Sequence, residues 1–143
     1  MSIKMGLEFS GFDEMIRNLE RAGANVKQVA EAALTETFNI VTDKVDAVMV
    51  KPMMPVGGKY WTGETKASLR KDARVYWNGT EAHIWVGFDT KNGGWPSIFL
   101  LRGTPYHEPV QELVDAFFGD QTQGEIILAQ KKIFNEAMEK ILQ

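Results

Sequence analysis

Ala73-Arg74-Val75-Tyr76-Trp77-Asn78-Gly79-Thr80-Glu81-Ala82-His83-Ile84-Trp85-Val86-Gly87-Phe88 is the stretch whose reading decides the fold. It is rich in aromatic and β-branched residues, which suit a pleated, half-buried surface. Asn78-Gly79 sits in its middle, and Asn-Gly is a strong short-range hairpin signal because both residues tolerate positive φ. A two-residue turn there sets Val75 opposite Ala82 and Ala73 opposite Ile84. Val86 and Phe88 fall on that same face, while Tyr76, His83 and Trp85 fall on the other. The apolar set therefore lines one side of the hairpin, which fixes its register. Trp85, on the opposite side, needs cover from a helix, a loop or a neighbouring subunit.

Working outward, Ile3, Met5, Leu7 and Phe9 alternate with polar or small residues, which predicts another half-buried strand. Ser10 is placed to cap a helix whose apolar face is Phe12, Met15, Ile16 and Leu19, with Gly23 as its stop. Asn25 begins the next helix, with Gln28 at the capping-box spacing. Val26, Val29, Ala30, Ala33, Phe38, Val41, Val45 and Val48 carry its helical period up to Pro52. Pro52, Pro55, Gly57 and Gly58 break regular structure, so Lys51 to Trp61 is expected to be a mobile loop. Thr62 or Thr65 caps a short turn running through Leu69.

On the far side of the hairpin, Asn92-Gly93-Gly94 is expected to be a flexible joint, and Pro96 to begin a helix ended by Gly103. Pro109 starts another, carrying Val110, Leu113, Val114 and Phe117. Gly119 and Gly124 bracket a polar break. The last helix carries Ile126, Ile127, Ile133, Phe134, Ala137, Met138 and Ile141. These elements predict an α+β fold: a small antiparallel sheet, made of the N-terminal strand and the central hairpin, packed by a long helix and C-terminal helices. No internal repeat, low-complexity tract or linker divides residues 1–143, so one domain is expected.

Composition narrows the function classes. A chain of 143 residues can bury about 68% of its unfolded surface and needs no covalent staple. It contains no cysteine, which excludes disulfides and thiolate metal sites and agrees with a reducing compartment. The net charge of -3 argues against tight sequence-specific DNA binding, which favours basic domains. The alternating N-terminus is not expected to be a signal peptide, and no apolar run suggests a bilayer span.

No catalytic constellation emerges. His83 and His107 are the only histidines and are not at ligand spacing, so they read as a sheet-surface residue and a loop residue. There is no G-x-S-x-G elbow. Asp43 and Asp46 share a helical face beside Lys44 and read as solvated. Gly57-Gly58-Lys59 fails the phosphate-loop pattern because Tyr60 follows the lysine. Neither a cofactor nor a metal is expected.

Charge is nevertheless uneven. Lys44, Lys51, Lys59, Lys66, Arg70, Lys71 and Arg74 place seven positive charges in one segment, opposed there only by Asp46, Glu64 and Asp72. Such a patch can touch phosphates without reading sequence. Trp61, Tyr76, Trp77, Trp85 and Trp95 crowd the same third of the chain, more rings than one small fold readily hides, so some are expected to be buried only on assembly.

Two landmarks flank the hairpin: Thr62-Gly63 followed by Ser68-Leu69 on one side, and Phe99-Leu100-Leu101-Arg102-Gly103-Thr104 on the other, with Val86-Gly87 between them. This order resembles the minor virion proteins of long-tailed bacteriophages, the neck or tail-component family that joins head to tail. The likeness spans about Pro55 to Val110. The resemblance implies a non-enzymatic virion component, found at the head–tail junction and in the host cytoplasm during assembly. It implies a homo-oligomeric ring, taken as hexameric, set between head-closure and tail proteins, with no membrane partner. Lys51, Lys59, Lys66, Arg70 and Lys71 would then contact passing genomic DNA weakly and without base readout. Trp61, Trp85, Trp95 and Arg102 would lie at subunit interfaces, and the loop at 51–61 would order on a neighbour. Thr62, Gly63, Gly103 and Thr104 carry the family motif. The family's carboxylate and aromatic ahead of Gly-Thr are replaced here by Leu101 and Arg102, so an intersubunit ion pair through that carboxylate is not carried over. Alternatives are a tail terminator capping the tail tube, a small phage-encoded hydrolase or nuclease, and a regulator that captures one protein partner.

Overall fold

A computed structural model describes the backbone of residues 2–6, 12–59, 61–79 and 81–142, and their side chains apart from Phe12, Asp13 and Leu142. Leu7, Phe9 and Ser10 of the expected first strand and cap lie outside the described residues. The fold is α+β, as the sequence predicts. Its strands are β1 (Ser2–Met5), β2 (Val75–Asn78) and β3 (Glu81–Gly87), and its helices are α1 (Phe12–Arg21), α2 (Val26–Val48), α3 (Glu64–Ala67), α4 (Ser97–Arg102), α5 (Gln111–Phe118) and α6 (Asp120–Leu142).

The sheet is antiparallel, in the order β1-β3-β2. Its register differs from the expected one. Val75 pairs with Ile84, Tyr76 with His83, Trp77 with Ala82 and Asn78 with Glu81. Asn78 therefore stays in the ladder, and the loop begins at Gly79, whose φ of +62° suits the first loop position of a primed turn. The pairing slides by an even step, so no side chain changes face. Ile84, Val86 and Phe88 are wholly buried, as expected of the inner face. β1 supplies Ile3 and Met5 to that face, paired with Val86 and Ile84.

α2 is the central helix. Asn25 caps it through its side-chain oxygen, which accepts the Gln28 N–H at 3.2 Å, filling one of the first-turn donors that lack helical partners. Its buried stripe, Ala30, Ala33, Leu34, Thr37, Phe38, Val41 and Val45, recurs at helical spacing. The helix ends at Val48, where the Met49 N–H donates to the Val45 carbonyl, four residues before Pro52. α1 closes in a Schellman motif: Gly23, at φ +81°, donates to the Glu20 carbonyl and Ala24 to that of Leu19.

The main core joins the sheet to α2, α4, α5 and the first turns of α6, with Phe88 and Phe117 meeting at 6.4 Å between ring centres. A second, smaller cluster of Leu19, Ala33 and Phe134 ties α1 and the start of α2 to the last turns of α6. Between the two clusters, buried Gln130 donates to Thr37 Oγ1 at 2.9 Å, and that hydroxyl donates to the Ala33 carbonyl. This chain leaves the pair satisfied across the α2–α6 seam. The C-terminal helix accordingly packs chiefly on α2 and not on the sheet.

Two of the three expected breaks are hydrogen-bonded turns and the third is helical. Residues 51–61 contain two short 3-10 turns, Lys51–Met53 and Pro55–Gly58, pinned by buried Met54. Gly58 is required there, because a Cβ would overlap the Lys51 backbone. The joint at 92–94 is a tight turn in which the Gly94 N–H donates to the Asp89 carbonyl at 2.9 Å. A Cβ on Gly94 would come 2.6 Å from Ser68 Oγ, so only glycine fits. Gly119 and Gly124 bracket no break. α6 begins at Asp120, and its first polar turn caps α5: Thr122 Oγ1 donates to the Asp115 carbonyl and Gln123 Nε2 to that of Phe117. α5 itself starts at Gln111, two residues past Pro109.

Candidate functional site

β3 alternates strictly. Residues that pair across antiparallel strands share a face. Lys4 of β1 pairs with Trp85 of β3, and Tyr76 of β2 pairs with His83. All four therefore lie on the outer face, where the sequence places Tyr76, His83 and Trp85. Arg74 extends the row: its guanidinium carbon sits 5.0 Å from the Tyr76 ring centre. Tyr76 stacks on His83 at 5.6 Å and 15°, and His83 meets Trp85 edge-on at 5.8 Å. The result crosses the whole sheet as cation, three rings and cation. Tyr76 is 39% exposed and Trp85 37%, so each keeps part of its ring open to solvent in a single subunit.

A second aromatic patch lies at the start of α4 and the turn before it. Trp95, 58% exposed, meets Phe99 edge-on at 5.6 Å. Arg102 follows Phe99 by three residues on the same helix and is exposed. Tyr106, almost fully exposed, projects from the next turn. Sequence reading misses Phe99 because it opens an apolar run that resembles core. Arg74 and Lys4 are missed as parts of the aromatic row, since their placement there follows from the observed pairing.

The other expected interface residue, Trp61, is half-buried and packs on the main core. Part of its ring is therefore covered within one subunit and part is left open. Trp77 is likewise engaged internally: its Nε1 donates to Glu31 Oε1 at 2.7 Å, and Lys27 Nζ lies 5.3 Å from its ring centre.

Both Thr/Gly landmarks are turns. Gly63 and Gly103 take φ of +82° and +78°. Thr62 Oγ1 accepts the Glu64 N–H, and Thr104 Oγ1 accepts the N–H groups of Tyr106 and His107. Each threonine therefore fixes the chain two residues on, the local bonding that hydroxyl side chains favour in turns. Gly103 is further constrained, since a Cβ there would lie 2.8 Å from Pro109 Cδ. Thr62, not Thr65, bonds to the start of α3.

The cations are unequally disposed. Lys44 pairs with Glu125 at 2.9 Å, and Lys66 lies 3.9 Å from Asp46. Arg70 Nε donates to Ser2 Oγ at 2.7 Å, while its backbone N–H donates to the Gly87 carbonyl. It thereby fastens the chain entering the hairpin to the sheet. Lys51, Lys59 and Lys71 are exposed. Two carboxylates sit below their ordinary values. Asp89 is lowered first by the Asn92 amide, then by the Lys91 N–H and the charges of Arg70 and Lys91. Glu125 is lowered by its bond to Lys44 and then by Gln121. Both serve structural contacts.

Among the described residues, no group of three or more His, Asp or Glu converges to hold a metal ion. Among them, too, no helix is long and apolar enough to cross a membrane. No protein-family model, curated protein or solved structure matches this chain.

Proposed function

We propose that this chain is a structural protein of a long-tailed phage, one subunit of a ring at the head–tail junction through which DNA passes. The observation that carries the reading is the aromatic row across the sheet, partly exposed in a single subunit. Exposed contiguous apolar surface marks interaction sites, and Trp and Tyr are enriched where one protein meets another. The α4 patch of Trp95, Phe99 and Arg102 adds a second such surface, and a head-to-tail ring needs two different contact surfaces on every subunit. The order of Thr62-Gly63, hairpin and Gly103-Thr104 supports the phage assignment. Its glycines at positive φ and its bonded threonines give the motif a physical role in setting the turns beside the hairpin. The exposed side chains of Lys51 and Lys71 supply weak contact with phosphates.

Mass spectrometry of purified virions from the phage or induced prophage encoding this chain tests the reading. The chain is expected in intact particles at a small fixed ratio to the other junction proteins. Particles that lack it would overturn the proposal and favour the enzyme or regulator alternatives.

A further inference from the structure

The stretch from Gly103 to Gln130 carries five carboxylates, Glu108, Glu112, Asp115, Asp120 and Glu125, and no lysine or arginine. Phe118, the last residue of α5, is 52% exposed and has exposed Glu112, Asp115 and Asp120 near it along the chain. The outer face of the sheet has a different character: apolar ring edges with Lys4 and Arg74 beside them, and a single carboxylate, Glu81, at the far end of β3. The rings already contact one another, with Arg74 over Tyr76 and His83 stacked against it, so little ring face remains for stacking nucleotide bases. α5 packs on the core side of the sheet through Phe117 and Phe88. The acidic corner and the outer sheet face thus belong to different layers.

We infer that the outer sheet face of one copy docks the acidic Phe118 corner of a second copy. Phe118 fits against Tyr76 and Trp85, while Lys4 and Arg74 meet Glu112 and Asp115. This inference rests on the ring reading and specifies one of its contacts. The contact is heterologous, so each subunit uses its sheet face once and its acidic corner once. Opposite charges set the orientation and speed the encounter, while the rings supply the desolvated centre.

The absence of cysteine allows a direct test with single introduced thiols. Lys4→Cys and Glu112→Cys, both at exposed positions, are prepared separately and treated with a short bismaleimide at the highest soluble concentration. The mixture is expected to give about tenfold more cross-linked dimer than either variant alone, and Arg74→Glu in the Lys4→Cys chain to remove most of that excess. No excess in the mixture, or coupling of Lys4→Cys chiefly to itself, overturns the contact. The double variant separates the two claims. A series ending in a closed species supports both. Open polymers with the mixed excess retained keep the contact and reject the ring. Rings of wild-type chain without the mixed excess keep the ring and reject the contact.

Discussion

Along β3, Ile84 and Val86 point inward and are wholly buried, whereas His83 and Trp85, one residue away, point outward and meet solvent. The same strand therefore serves two purposes. Its inner residues pack against α2 and α5 and are fixed by the fold. Among the described residues, its outer rings stack on one another beside Arg74 and stay partly open to solvent, so the core does not depend on their being aromatic. Large rings at positions the fold leaves free are the clearest sign in this molecule of a surface kept for a partner.

The largest expected effect is on the inner side. Phe88→Ala removes a fully buried ring in contact with Phe117 and should cost about 3–5 kcal/mol, read as a lower urea midpoint. A cost below about 1 kcal/mol would mean the inner face is less committed than its burial implies. Next comes the place where the chain leaves β3. Gly94→Ala forces a methyl against the Asp89 carbonyl and Ser68 Oγ and should cost about 1–3 kcal/mol in the same measurement. Trp85→Ala should change the stability of the isolated subunit by only about 1 kcal/mol, the worth of its aromatic contact, yet abolish ring assembly judged by sedimentation. Equal damage to stability by Trp85→Ala and Phe88→Ala would erase the distinction between the faces.

The smallest effect is in acid. Asp89 has a folded pKa below its ordinary 3.8, so its contribution is present above that value and disappears as pH falls through the lower folded value. Asp89→Asn should therefore flatten the acid end of the stability curve and leave the outer face untouched. A change confined to neutral pH would contradict the assignment.

Much of this contrast is legible in the residue order. Alternation sorted Ile84, Val86 and Phe88 from Tyr76, His83 and Trp85, because side chains on a strand repeat every second residue. The turn position was less legible. Asn78-Gly79 and Gly79-Thr80 are both plausible loops, and an even slide between them preserves every face, so periodicity cannot choose. Residues 119–124 read as a break because two glycines bracket a polar run that carries no apolar period. Their polar side chains instead cap the end of α5, a tertiary role invisible in composition. Trp61 and Trp85 are equally aromatic in the sequence, and only packing separates the half-buried ring on the core from the ring on the open sheet. Phe117 and Phe118 show the same limit: helical phase correctly buried the first, but nothing in the sequence marked the second as the exposed centre of an acidic corner.

Cryo-electron microscopy of intact virions at the head–tail junction tests the central claim most directly. The account predicts a ring of α+β subunits in which each Tyr76–His83–Trp85 face is covered by a neighbour, with Lys51 and Lys71 toward the channel. A junction without this chain, or a ring in which that face stays open to solvent, would contradict it.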